Sequence, residues 1–230
     1  MKNRFKLQTF DTSEHLVENL AGRIVKDLAT AIKKNGKAVL AVSGGSTPKK
    51  LFRYLSQMEL EWNRVCITLV DERWVGTDKN ESNQKLVIEN LLQNKAIIAR
   101  LVSLKNNVID VRDAQLMTQN RMKKLAKLDV VVLGMGEDAH TASFFPHATN
   151  LEELYTTDKL CCATEANVEP KERMTLTKNF LLSCDSLLLH IEGKKKKEVF
   201  EKATQSEDAF EMPIVTMMQQ NQVMLEVYHA

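Results

Sequence analysis

The sequence has little net charge: 32 lysines and arginines against 30 acidic residues leave +2 over 230 residues. A field that weak recruits neither nucleic acid nor an anionic membrane, and neither is expected as a partner. The one basic run, Lys194-Lys195-Lys196-Lys197, is short and isolated, the pattern of a solvated helix face. Cysteine is scarce. Cys66, Cys161, Cys162 and Cys184 make no CxxC pair and show no zinc-ligand spacing, and the adjacent Cys161 and Cys162 are badly placed to bridge each other. Reduced, buried thiols of a cytosolic protein are the economical reading. Also missing is any stretch near the roughly 20 apolar residues of a membrane span. Met1-Lys2-Asn3-Arg4-Phe5-Lys6 leads into polar residues and not into an apolar signal core, so a cytoplasmic protein is expected. Internal repeats, low-complexity tracts and Pro/Gly/Ser-rich linkers are absent as well. What remains is an ordinary globular balance, 43% hydrophobic and 27% charged, and a single domain over residues 1–230 is expected.

Hydrophobic spacing supplies the elements. Leu16, Leu20, Ile24, Leu28 and Ile32 recur every fourth position, one face of an amphipathic helix. Asp11, with Glu14 three residues on, is placed to cap its start, and Asn35-Gly36 to end it. Ala38–Val42, Val65–Val70 and Asp129–Leu133 are short and apolar, like strands covered on both faces. Pro48 suits the opening of a helix through Leu51, Phe52 and Leu55. Further helices are expected over Ser82–Leu92, Val111–Ala126 and Lys194–Ala203. Strands are expected near Leu160–Thr164, Met174–Thr177, Leu187–Ile191 and Val223–Tyr228. Alternating strand and helix predicts a three-layer α/β fold: a mostly parallel, Rossmann-like sheet with helices on both faces.

Three apolar strands run straight into polar or glycine-rich loops: Ser43-Gly44-Gly45-Ser46-Thr47-Pro48, Asp71-Glu72-Arg73-Trp74, and Gly134-Met135-Gly136-Glu137-Asp138-Ala139-His140. In a parallel sheet these loops share the carboxyl edge, where open α/β sheets bind ligands. The first has the makings of an anion cradle. Gly44 and Gly45 allow close backbone approach, Ser43, Ser46 and Thr47 add hydroxyl donors, and a helix start follows. It lacks the lysine and spacing of a nucleotide P-loop. The second brings Asp71 and Arg73. The third brings His140, whose reference pKa of about 6.5 suits proton exchange near neutrality, with Asp138 two residues before it.

Together these segments resemble the 6-phosphogluconolactonase family. The matching stretches are SGGSTP at Ser43–Pro48, VDERWV at Val70–Val75 with Ser82-Asn83, LGMGEDAHTASFFP at Leu133–Pro146, RMTLT at Arg173–Thr177, and the G-x-x-K of Gly193–Lys196. The resemblance implies hydrolysis of 6-phospho-D-glucono-1,5-lactone to 6-phosphogluconate, the second step of the oxidative pentose phosphate pathway, with no cofactor and no metal. It implies that His140 is the general base on water, that Asp138 orients His140 or the water, and that Arg73 faces the oxyanion or the substrate's oxygens. Asp71 then either holds Arg73 or binds sugar hydroxyls. The phosphate sits on the Ser43–Thr47 loop, clamped by Arg173 and Lys196, while Lys194, Lys195 and Lys197 stay solvated. His15, His147, His190 and His229 receive no role, and a monomer is expected. Two positions depart from the family pattern. Phe144 stands where leucine is common, and Ala139 replaces the usual glycine between Asp and His. If the backbone there needs positive φ, the β-carbon costs on the order of 1–2 kcal/mol; if glycine serves only for close packing, alanine fits.

Two other readings stand beside this one. An aminosugar-phosphate isomerase or deaminase shares the first and third loops, but its chemistry calls for an acid shortly after the histidine, and Thr141–Pro146 has none. A non-catalytic sugar-phosphate sensor would need a DNA-reading segment, for which no length is spare before the first apolar strand.

Overall fold

A strand buried on both faces is apolar at most of its positions, and the centre of this fold is built from such strands. The structure, a computed structural model, describes residues 4–230. Met1-Lys2-Asn3, the start of the segment read for a signal core, lie outside the described residues. In chain order the elements are β1 (Phe5–Thr9), α1 (Ser13–Asn35), β2 (Ala38–Val42), α2 (Lys49–Leu55), β3 (Val65–Leu69), β4 (Asp71–Arg73), α3 (Asn83–Asn90), β5 (Arg100–Val102), α4 (Val111–Lys123) and β6 (Val130–Leu133). They continue with α5 (Leu151–Thr156), β7 (Cys161–Glu165), β8 (Glu172–Leu176), α6 (Lys178–Leu181), β9 (Ser186–Ile191), α7 (Lys194–Gln205), α8 (Val215–Met218) and β10 (Leu225–His229).

Seven strands form one parallel sheet in the order β1-β10-β9-β6-β2-β3-β5. β2, β6 and β9 are buried at every position, as sheet strands covered by helices on both faces must be. From β2 the chain builds outward to β3 and β5 on one side, and from β6 outward to β9 and β10 on the other. The sheet therefore has its switch point between β2 and β6, where the loops after the two strands diverge and leave a crevice.

The expected parallel positions of the 160–164 and 174–177 strands are corrected by the structure. β7 and β8 pair antiparallel with each other, and β8 pairs antiparallel with β4 in a separate three-stranded sheet. Asp71-Glu72-Arg73 was expected to be a loop. It is a strand because Val70 crosses directly from one ladder to the other: its N–H donates to Val42 O and its carbonyl accepts from Leu176 N. β1 and β5 were not foreseen at all. Both are edge strands with exposed positions and no continuous apolar run.

Helix ends follow side-chain chemistry. The first cap is Thr12 and not Asp11: Thr12 has extended backbone, and its Oγ1 accepts from His15 N at 3.2 Å. Gly36, at φ 74°, closes the same helix in the left-handed conformation. α4 stops at Lys123, short of the expected Ala126, which itself adopts φ 65°. Replacing Thr12 by alanine should cost about 1 kcal/mol of stability in urea denaturation, whereas Asp11→Ala should cost less than about 0.5 kcal/mol. Equal losses would mean that the cap is shared.

Candidate active site

The crevice at the switch point is closed by one residue. Ser43, first after β2, donates its backbone N–H to Val132 O of β6 at 2.9 Å, and its Oγ accepts from Gly134 N at 2.9 Å. The first and third loops are thereby stitched together at their roots. Thr141 Oγ1 adds a tie back to Gly134 O at 2.8 Å. Above this seam lies a cavity of about 260 Å³, lined by all of Ser43–Pro48 and by Asp71, Arg73, His140, Arg173 and Lys196.

The two glycines of the first loop serve different ends. Gly45 has φ 95° with open space around it, so its conformation requires glycine. Gly44 has ordinary backbone, but a Cβ there would fall 1.8 Å from Asn83 Oδ1. Close approach at Gly44 is thus also to Asn83, while the residue itself lines the cavity. Thr47 Oγ1 accepts from Lys196 Nζ at 3.1 Å. Lys196 is the one lysine of the run whose ammonium reaches the loop. Burial lowers its pKa, and the fields of Glu137 and Glu192 oppose that shift. Lys194 is exposed, Lys195 pairs with Glu137 at 2.5 Å, and Lys197 is half-buried.

β4 and β8 supply the arginines. Arg73 and Arg173 are direct cross-strand partners, so their side chains leave the same face of the small sheet. Like charges placed opposite each other repel, and among the described residues neither guanidinium pairs with a carboxylate. Arg73 Nη1 donates to Glu81 O at 2.6 Å, while its buried Nε has no partner among the described residues. Arg173 is 3% exposed, donates Nε–H to Pro170 O at 2.8 Å, and lies 5.7 Å over the Phe145 ring. Burial lowers its pKa; Asp71 opposes this and Arg73 adds to it. A buried Arg173 beside a partly buried Arg73 gives this wall of the cavity positive charge.

Asp71 does not hold Arg73. Its Oδ2 accepts from Ser143 Oγ at 2.6 Å and its Oδ1 from Asn83 Nδ2 at 3.3 Å. Asp138 Oδ1 accepts from both the backbone N–H and the ring Nδ1 of His140, the latter at 2.5 Å. A carboxylate can only accept, so Nδ1 carries the proton and Nε2 is left for a ligand. Burial works to raise the Asp138 pKa, but the hydrogen bonds and charge of His140 hold it below the usual carboxylate value. The imidazole rests at 4.7 Å against the Phe145 ring. Gly136 leaves it room, since a Cβ there would sit 2.1 Å from Nδ1.

All eleven residues expected at the site are accounted for: ten line the cavity, and Asp138 stands behind His140. Sequence reasoning missed Asn83, Phe145, Val168 and His190, which also line it. His190 is buried, with Nε2 2.8 Å from Glu192 Oε1 and Nδ1 unpartnered among the described residues. Its position inside an apolar strand disguised it. His147, by contrast, is exposed beside Glu211. Among the described residues no group of three or more His, Cys, Asp or Glu is placed to hold a metal ion.

Ala139 settles which constraint acts between Asp138 and His140. Its φ is 64° and it is fully buried, so the left-handed strain of about 1–2 kcal/mol is present. Against it stand about 0.8 kcal/mol for a buried methyl and about 0.5–1 kcal/mol of chain entropy that glycine would lose on folding. Ala139→Gly should therefore change the unfolding free energy by less than about 1 kcal/mol in urea titrations; a gain well above that would show that the strain is uncompensated.

Comparison with known proteins agrees with this geometry. Residues 11–225 match the family described as glucosamine-6-phosphate isomerases/6-phosphogluconolactonase. A 6-phosphogluconolactonase of Rhizobium meliloti is 45% identical over 97% of this chain and 98% of its own length. One of Mesorhizobium japonicum is 43% identical over 86% of this chain and 85% of its own. The crystal structure of a 6-phosphogluconolactonase from Shewanella baltica superposes with a TM-score of 0.96 at 40% identity, covering 100% of both chains.

Proposed function

The chain belongs to the family of glucosamine-6-phosphate isomerases and 6-phosphogluconolactonases, and from that premise we infer that it hydrolyses 6-phospho-D-glucono-1,5-lactone to 6-phospho-D-gluconate. It is an enzyme, a carboxylic ester hydrolase of the oxidative pentose phosphate pathway. The observation that carries the reading is the meeting, in one cavity, of a carboxylate-oriented imidazole with three cations, Arg73, Arg173 and Lys196, that make no ion pair among the described residues. In the isomerase or deaminase alternative an acid would follow the histidine, and that stretch instead spends its Thr141 and Ser143 hydroxyls tying loops together. Among the described residues no helix is long and apolar enough to cross a membrane. The protein acts as a single-domain cytoplasmic monomer on a small-molecule substrate, without cofactor or metal in any step.

The roles follow from the donors and acceptors left over. The phosphate lies on Ser43–Thr47, gripped by Lys196 as a point charge and by the planar guanidinium of Arg173. His140 Nε2 takes a proton from water, which adds to the ester carbon. The resulting oxyanion meets Arg73, whose buried Nε is a donor in want of an acceptor; such a donor is typically worth about 2.7–4 kcal/mol in the transition state. Collapse breaks the bond to the ring oxygen, which recovers the proton from His140. Asp138 keeps the imidazole in the required tautomer. Asp71, held by Ser143 and Asn83, faces the sugar hydroxyls.

Freshly generated lactone mixed with the purified protein should release acid faster than it does spontaneously; an unchanged rate would dismiss the activity. His140→Ala should remove about 10²–10⁴-fold of that acceleration. Arg173→Ala should raise KM by about tenfold or more with a smaller change in kcat, and unaltered KM would take Arg173 out of the phosphate grip.

A further inference from the structure

Asn83 is 2% exposed, lines the cavity and stands at the first position of α3. Its backbone is fixed by an acid that never meets solvent. Glu72, fully buried, accepts through Oε1 from Asn83 N at 2.7 Å and Arg73 N at 2.8 Å, and through Oε2 from Gln84 N at 2.7 Å and Ser82 Oγ at 3.1 Å. Four donors on one carboxylate at a helix start leave the residue carrying Asn83 little freedom.

The carboxamide has two neighbours. Nδ2 donates to Asp71 O at 2.9 Å and to Asp71 Oδ1 at 3.3 Å. The rest of the amide plane lies against Gly44: a β-carbon there would come within 1.8 Å of Oδ1, 2.2 Å of Cγ and 2.7 Å of Nδ2. One planar group thus touches the root of the anion loop on one side and the pocket carboxylate on the other. Asp71 makes no ion pair among the described residues, and the hydrogen bonds to its carboxylate come from Asn83 and Ser143.

We propose that Asn83 is a positioning residue that couples the two ends of the site: the place of the phosphate loop is transmitted through its amide to Asp71. The inference rests on the lactonase reading and extends it, by making Gly44 act on turnover and not only on phosphate affinity. Leucine or valine at 83 would fill the same space, but neither could donate to Asp71.

The test is a kinetic cycle over Gly44→Ala, Asn83→Ala and Asn83→Asp, each alone and the two position-83 changes combined with Gly44→Ala, with thermal denaturation to select folded variants. Gly44→Ala should lower kcat about tenfold or more in the native background, because its methyl displaces the amide. In the Asn83→Ala background the same methyl meets a vacancy and should lower kcat by no more than about twofold. Asn83→Asp keeps the shape of the amide but, as a carboxylate, cannot donate to Asp71, so the coupling should be lost there too and adding Gly44→Ala should again lower kcat by no more than about twofold. A Gly44→Ala loss that is equal in all backgrounds, or that falls only in KM, would overturn the coupling. If the native protein fails to beat the spontaneous rate, the activity itself is refuted; the cycle is then read by calorimetry with 6-phosphogluconate, where additive losses of affinity would refute the coupling separately.

Discussion

Everything at the site depends on Ser43 joining β2 to β6. Parallel strands are spaced by their own ladder, but their loops are not, and at the switch point the two loops leave in opposite directions. A single side chain, accepting from Gly134 N while its own N–H extends the ladder to Val132, sets the distance between the anion loop and the stretch that carries the imidazole. The rest of the third loop is then held by short internal ties: Gly136 N to His140 O and Ala139 N to Gly136 O. A catalytic constellation has to be placed to a fraction of an ångström. Rooting two of its three loops in one hydrogen-bonded seam achieves this with few residues.

The third loop's partner is electrostatic. The small β4-β8-β7 sheet brings Arg73 and Arg173 side by side; burial and the Arg73 charge disfavour the Arg173 charge, and Asp71 and Glu72 oppose them. Buried cations are costly when left without hydrogen-bonded anions. In the proposed reading the partner is the substrate phosphate, and part of the folding free energy would be recovered on binding it. The carboxylates that might have neutralised the pair are turned elsewhere. Asp71 is occupied by Ser143 and Asn83, and Glu72 by the start of α3.

Much of this was legible before any coordinates. Fully buried strands such as β2 and β6 announce themselves as apolar runs, and all eleven residues expected at the site were found in the cavity or directly behind it. What could not be read is what depends on cross-chain pairing. Asp71-Glu72-Arg73 has no strand pattern, and becomes a strand only because Leu176 and Val70 hand it to β8. Thr12 wins the helix cap over Asp11 through backbone geometry that composition does not encode. Asn83 sat within a recognised motif, yet its purpose is visible only against Gly44. His190 follows three leucines in a strand buried at every position, so nothing local marked it as facing the cavity.

The buried packing holds Ala139 in a left-handed region that an alanine tolerates only over a small range of φ and ψ, where glycine would range more widely. With Asp138 holding Nδ1, the imidazole is thereby presented from a backbone with little slack on its N-terminal side.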